Sequence, residues 1–143
     1  MEEKPLLLIG SPMCTMFSQL QSMNWGKSSE RDAVMYQDWK KAVRHMEFVS
    51  KLYKIQLEGG RYFLHEHPRS ASSWTLKCMK RTIQTPGVYR VEADMCRFGL
   101  TATDEFGRGL VKKPTSFLTN SLCIADAIGL KCNNSSAVHP HRH

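Results

Sequence analysis

The sequence lacks the features that mark membrane-anchored and secreted proteins. Its longest apolar run is Leu6–Ile9, far short of the roughly 20 residues that span a bilayer, so we expect no transmembrane anchor. The first four residues include two glutamates where a secretory signal would be basic. We therefore expect an intracellular protein without a membrane partner, nuclear if eukaryotic and cytoplasmic if bacterial or from a phage.

Paired cysteines are also missing. The five cysteines form an odd number without a CxxC pair, so neither a disulfide framework nor a zinc ribbon is indicated, and reduced thiols are expected. Cys96, Cys123 and Cys132 match no compact zinc pattern with the C-terminal histidines, and no metal site is predicted. His139–His143 could hold a metal in vitro, but a disordered His-rich tail over 132–143 is the favoured interpretation.

The charge is unevenly distributed over a length that suits one domain. The 143 residues carry 20 basic and 13 acidic groups, a net charge of 20 − 13 = +7. Residues 61–113 hold ten of the basic and five of the acidic groups. Such a surface can favour phosphate backbones through counterion release, although it can equally serve only solubility.

Hydrophobic spacing predicts alternating strands and helices. The run Leu6–Ile9 stops at a Gly-Ser-Pro turn, which is typical of a buried parallel strand. Ser29 and Asp32 form a capping-box pattern for a helix that runs to about Leu57 and ends at two glycines. The later predicted elements are a strand over Arg61–His65, a helix over Ser72–Arg81, a strand over Val88–Ala93, a mobile loop over 99–113, a strand over Ser116–Thr119 and a helix over Ile124–Leu130.

This order predicts an α/β fold. We expect an incomplete Rossmann-like, mostly parallel sheet flanked by helices, formed by a single domain over residues 1–131. Ligands of such sheets bind at the carboxyl ends of the strands, so the residues found there are the candidates for chemistry.

Two reactive residue types follow the first two predicted strands. Cys14 lies in a loop stiffened by Gly and Pro, where an exposed thiol of lowered pKa could be a nucleophile; a small buried hydrophobe is the alternative. Glu66 follows the second strand and could act as an acid, or could only form a structural ion pair.

These segments resemble motifs of the cytosine-5 DNA methyltransferases. Ser11-Pro12-x-Cys14-x-x-Phe17-Ser18 is similar to the family's cysteine loop, and Phe63-x-x-Glu66-x-Pro68 is similar to its Glu-Asn-Val or Glu-Asn-Pro motif. A looser match to the target-facing region of phage-type and retrotransposon-associated relatives comprises Asp94-x-Cys96-x-Phe98-Gly99, Lys112-Lys113-Pro114-Thr115 and Thr119-Asn120. The resemblance covers roughly residues 5–121.

The resemblance implies a reaction on a cytosine flipped out of DNA, with RNA as a second possible substrate. In it the Cys14 thiolate attacks C6, Glu66 donates a proton to N3, and S-adenosylmethionine donates a methyl group to C5. The residues that would shape the loops are Pro12, Phe17, Ser18 and Pro68. The residues that would contact phosphates or the target are Arg90, Arg97, Lys112 and Lys113.

The chain departs from the family at three places. Met13 stands where a second proline is usual, and His67 stands where Asn is more frequent, which changes the hydrogen bonding to the neighbouring loop. The family binds its cofactor on strands that precede the cysteine loop, but only nine residues precede Gly10 and no GxGxxG pattern occurs. We therefore expect the S-adenosylmethionine loop and the target-recognition domain to be absent.

The resulting expectation is a truncated or vestigial methyltransferase-like domain that is inactive as an isolated chain. Its uncovered sheet edge would accept a missing upstream half or a second copy. A non-catalytic basic nucleic-acid-binding or retroelement-derived fragment is the alternative, and a relic without activity is a third interpretation.

Overall fold

The computed structural model describes residues 3–18, 21 and 24–133 and has an α/β architecture. The helices of this part are α1 (Ser29–Glu58), α2 (Lys77–Gln84) and α3 (Leu122–Ile128). Its strands are β1 (Leu7–Gly10), β2 (Tyr62–Pro68), β3 (Tyr89–Asp94), β4 (Thr101–Asp104), β5 (Gly107–Leu110) and β6 (Pro114–Thr119). Short 3-10 turns lie at Thr15–Phe17, Ser72–Thr75 and Met95–Phe98.

The main sheet has four strands in the order β1-β2-β6-β3. β1 and β2 are parallel, as predicted, and their register places Gly10 opposite His65. β6 is antiparallel to both β2 and β3, so the sheet is mixed and the prediction of a mostly parallel sheet is wrong. β1, β2 and β3 nevertheless share one direction, and their carboxyl ends lie at one edge of the sheet.

The segment over 99–113 explains why β6 is antiparallel to β3. It was expected to be a mobile loop, but β4 and β5 form a hairpin there whose turn is closed by the Phe106 N–H donating to Asp104 Oδ1 at 2.8 Å. A hairpin returns the chain to the edge where β3 ended, whereas a parallel strand needs a crossover that carries it to the opposite edge. Asp94 therefore pairs with Pro114, and the Met95 N–H donates to the Lys113 carbonyl at 3.1 Å.

The N-cap of helix α1 lies one residue before the predicted cap, Ser29. Ser28 is the N-cap, and its hydroxyl accepts the Arg31 N–H at 3.1 Å, so the predicted Ser29–Asp32 box is wrong. The Asp32 carboxylate accepts the Gly26 N–H instead, at 3.0 Å. The predicted glycine stop is confirmed, because Gly60 adopts a φ of +68°, a conformation that glycine adopts without steric cost.

The predicted helix over Ser72–Arg81 is two elements. Leu76 has an extended backbone, with a ψ of 144°, and separates the 3-10 turn from α2. The turn is held by side chains, since the Trp74 indole N–H donates to the Pro68 carbonyl at 2.9 Å and the Thr75 hydroxyl donates to the Ser72 carbonyl at 2.6 Å. The final predicted helix is confirmed with its start two residues earlier, at Leu122.

The core lies between one face of the sheet and helices α1 and α2. β2 alternates strictly, and Phe63, His65 and His67 point into this core. The other members of the buried cluster are Phe17, Met46, Val49, Tyr53, Ala71, Trp74, Met79 and Leu118. Met46, Val49 and Tyr53 of α1 belong to this cluster, so α1 packs against the sheet through these residues.

Strand β1 is less buried than its apolar run predicted. Leu7 is 38% exposed and Ile9 is 64% exposed, because both point away from the core and, within the described residues, only β2 pairs with this strand. In the same part of the chain, no helix combines the length and the apolar character that crossing a membrane requires. Of the predicted His-rich tail, residues 134–143 lie outside the described residues.

Candidate functional site

The cysteine loop, residues 11–17, follows β1 and is folded by its own backbone. Cys14 is half-buried and precedes the 3-10 turn, and its carbonyl accepts the Phe17 N–H at 2.9 Å. Phe17 is almost completely buried and meets the His67 ring edge-on, with centroids 6.1 Å apart. Ser18 continues in extended conformation after the turn. The loop is therefore anchored by Phe17, while the Cys14 side chain keeps partial access to solvent.

Glu66 lies within β2, two residues before its end, rather than after the strand as predicted. It pairs with Phe117 of β6, and its side chain points to the sheet face opposite His65 and His67. The Ser11 hydroxyl donates to Glu66 Oε2 at 2.5 Å. No ion pair of Glu66 occurs within the described residues, so its contact is with the cysteine loop and not with a structural Lys or Arg.

His67 provides the second connection between β2 and the cysteine loop. Its Nε2 lies 3.2 Å from the Pro12 carbonyl oxygen, and its Nδ1 lies 2.5 Å from Ser73 Oγ. Because a carbonyl oxygen can only accept, Nε2 carries the hydrogen and Nδ1 accepts the Ser73 hydroxyl in the neutral ring. The ring thus joins the cysteine loop, β2 and the Ser72–Thr75 turn.

Burial keeps this imidazole neutral. Desolvation lowers the pKa of His67, and the carbonyls of Pro12 and Met13 and the Glu66 carboxylate oppose that shift without reversing it. Lys113 is close enough to lower the pKa of His67 further. The sequence marked His67 only as a departure from the resembled motif, whereas the structure shows that it does bond to the neighbouring loop.

A buried, hydrogen-bonded pair, Tyr53 and His65, lies in the core next to the end of β1. Tyr53 Oη lies 2.6 Å from His65 Nδ1, and both residues are fully buried. Burial, and secondarily the neighbouring His67, lowers the pKa of His65 to about 3, while burial raises the pKa of Tyr53. A Cβ at Gly10 would collide with the Tyr53 hydroxyl, so glycine is required where β1 ends over this pair.

The fold places the four basic candidate residues in different parts of the structure. The Arg90 guanidinium on β3 stacks on the Trp74 ring at 4.2 Å and lies 3.6 Å from the Glu92 carboxylate. The Arg97 guanidinium donates to the Lys131 carbonyl at 2.6 Å. Lys112 and Lys113 precede β6 at the same edge as Cys14 and Glu66. Of the four, Lys113 is connected to the site because it lowers the pKa of His67, which bonds to the cysteine loop.

The described residues do not fit a self-contained S-adenosylmethionine site. A dinucleotide-type cradle needs a glycine whose missing side chain leaves room for the ligand, but the room at Gly10 is filled by Tyr53. A groove between α1 and α2 in the described structure is lined by neither Cys14 nor Glu66. In the same residues, no three His, Cys, Asp or Glu side chains converge as metal ligands would.

Comparison with protein-family models, with curated proteins and with solved structures found no significant match to this chain. The candidate functional residues Cys14 and Glu66 lie at the carboxyl edge of β1 and β2. There the cysteine loop is held against β2 by two hydrogen bonds, from Ser11 to Glu66 and from His67 to Pro12.

Proposed function

We propose that this chain is part of a catalytic domain of the DNA cytosine-5 methyltransferase type, with Rossmann-like character. The observation that carries the proposal is the bonding of the cysteine loop across two adjacent parallel strands. Ser11 bonds to Glu66, and Cys14 lies three residues further along the same loop. A candidate nucleophile thus follows β1, and a candidate acid lies near the carboxyl end of the neighbouring β2, at the sheet edge where ligands of α/β proteins bind.

The proposed step is covalent capture of a flipped cytosine. The Cys14 thiolate forms a bond to C6, the electron pair of the C5–C6 double bond shifts toward C5 and, through C4, to N3, and N3 takes a proton from Glu66. The Ser11 hydroxyl donates a hydrogen bond to Oε2 of Glu66, so Oε1 is the oxygen that would face the base. The base must leave the duplex for both groups to reach it.

Positioning of the thiol is assigned to His67 and Phe17. A loop tied by one hydrogen bond and one buried ring loses little conformational freedom on substrate binding, because its geometry exists beforehand. His67 is well suited to this role since it stays neutral and keeps its donor on Nε2 toward Pro12.

Methyl donation is not assigned to the described residues. S-adenosylmethionine would supply the methyl group for C5, but these residues offer no cradle for it. The cofactor would therefore bind to a complementing segment or subunit, and the described residues would perform base capture.

The test is adduct formation with an oligonucleotide carrying 2-pyrimidinone in place of the target cytosine. This base lacks the 4-amino group and is more electrophilic at C6, so a thiolate can capture it without a methyl donor. A single-stranded probe removes the cost of flipping. We expect a denaturant-resistant adduct that disappears in Cys14→Ser, persists in the matched control Cys123→Ser, and forms more slowly in Glu66→Gln. Equal adduct yields in Cys14→Ser and the unmodified chain would reject the proposal.

A second candidate function is non-catalytic nucleic-acid binding. Lys112 and Lys113 lie at the Cys14 edge, and residues 61–113 hold most of the net positive charge. A phosphate-dominated mode predicts an affinity for duplex DNA, or for RNA, that falls steeply between about 50 and 200 mM salt. Tight DNA binding without any pyrimidinone adduct would favour this function over capture, and a flat salt response would exclude it.

A further inference from the structure

A groove of about 730 Å³ lies between α1 and α2, on the helical side of the core. Its volume falls within the range of small-molecule sites, roughly 300–1,000 Å³. The floor includes the half-buried side chains of Val43, Leu57 and Leu76. None of the residues discussed for base capture lines it.

The rim of this groove is cationic. Lys51 and Lys54 of α1 and Lys77 and Arg81 of α2 all line it and are exposed. Lys54 pairs with Glu58 at 3.8 Å, whereas Lys51, Lys77 and Arg81 form no ion pair within the described residues.

One further acidic group, Glu47, lines the groove, so positive charge prevails along it. Within the described residues, the site therefore combines an apolar floor with three cations, Lys51, Lys77 and Arg81, that have no acidic partner within 4 Å.

We propose that this groove binds an amphipathic carboxylate, namely an acyl chain of medium length whose head group lies among Lys51, Lys77 and Arg81. Burial of methylene groups on the floor stabilises the bound chain, and the rim selects a negative head group. The inference is independent of base capture, because the two sites share no residue.

The shape of the groove favours a chain over a compact anion. Its α1 lining extends from Val43 to Glu58, which is about 22 Å at 1.5 Å per residue, and α2 with its C-cap Thr85 flanks it from Lys77 for about 12 Å. A compact phosphate would leave the apolar floor in water, and a DNA backbone would contact the rim alone. The observations thus favour the acyl carboxylate over a nucleic acid at this place.

The test measures dodecanoate binding to the full chain by calorimetry, with dodecanol and butanoate as probes of the head group and the chain. We expect dodecanoate to bind at least about tenfold more tightly than either, because each lacks one half of the recognition. In methyl spectra the signals of Val43, Leu57 and Leu76 should shift, while that of the core residue Leu118 should not.

Charge variants separate a built site from a general effect of net charge. The double variant Lys51→Glu/Arg81→Glu should weaken dodecanoate binding by about tenfold or more. Lys41→Glu/Lys80→Glu makes the same change in net charge at exposed positions of the same helices outside the groove, and it should leave the affinity within about twofold. Equal weakening in the two double variants, dodecanol binding as tight as dodecanoate, or full competition by short duplex DNA would overturn the proposal.

Discussion

Protonation of the buried His65 is expected to destabilise the fold in acid. The ring has no exposed surface, its Nδ1 bonds to Tyr53, and its Nε2 has no partner in the described structure. A proton added there would place a cation in the core next to His67, without a counterion. The pKa of His65 is lowered from 6.5 to about 3, so the unfolded chain binds the proton first as pH falls.

The sign and the size of the stability loss follow from the difference between the pKa of His65 in the folded and the unfolded state. Because the unfolded state binds more protons between about pH 6.5 and pH 3, the stabilisation is fully present above pH 6.5 and is lost as pH falls through this window. The loss attributable to His65 is about 2 kcal/mol between pH 7 and pH 5, and about 5 kcal/mol when the window is crossed completely. The lowered pKa of His67 adds to the loss in the same direction.

Urea unfolding followed by circular dichroism between about pH 7 and pH 5 measures this loss. The matched variant is His65→Asn, whose amide can still bond to Tyr53 but does not titrate. Across the same pH range, we expect the free energy of unfolding of this variant to fall by about 2 kcal/mol less than that of the unmodified chain. A parallel pH dependence in the two proteins would refute the assignment to His65.

The remaining predictions concern single contacts of the site and the core. His67→Ala should lower the free energy of unfolding by about 2–4 kcal/mol and speed the alkylation of Cys14 by iodoacetamide. The control variant His67→Asn should give intermediate values of both quantities. An unchanged alkylation rate would contradict the anchoring of the cysteine loop by His67. Gly10→Ala should cost about 1–3 kcal/mol by collision with the Tyr53 hydroxyl, and less in a Tyr53→Phe background; strictly additive costs in a double-mutant cycle would contradict that contact. Arg90→Gln should cost about 1 kcal/mol in urea unfolding because it removes the cation from the indole face, and a neutral result would show that the stacking contributes nothing.

Local patterns predicted the elements well because the signals for them are local. The apolar spacing of α1 and the two glycines after it are read within a few turns of chain, and the helix ends where they indicate. The direction of β6 is not local, since it depends on a hairpin that returns the chain to the edge where β3 ends. The same holds for the burial of β1, which depends on how many strands pair with it.

The sequence singles out candidate residues such as Cys14 and Glu66, whereas the hydrogen bonds that connect the cysteine loop to β2 are seen only in the structure. Cys14 and Glu66 were placed at neighbouring strand ends from their positions after two apolar runs. The bond from Ser11 to Glu66 spans 55 positions, as does the bond from His67 to Pro12, and spacing alone cannot reveal such partners. His67 could have been suspected from its alternation with two other buried positions of β2, Phe63 and His65.

The most direct measurement of the central claim is mass-spectrometric mapping of the residue that carries the base after incubation with the pyrimidinone oligonucleotide. Base capture by Cys14 should give one modified peptide, containing Cys14, because this thiol alone lies in a loop bonded to Glu66 and His67. Modification of Cys123, which is exposed on α3, at a rate equal to that of Cys14 would contradict the account, as would the absence of any adduct.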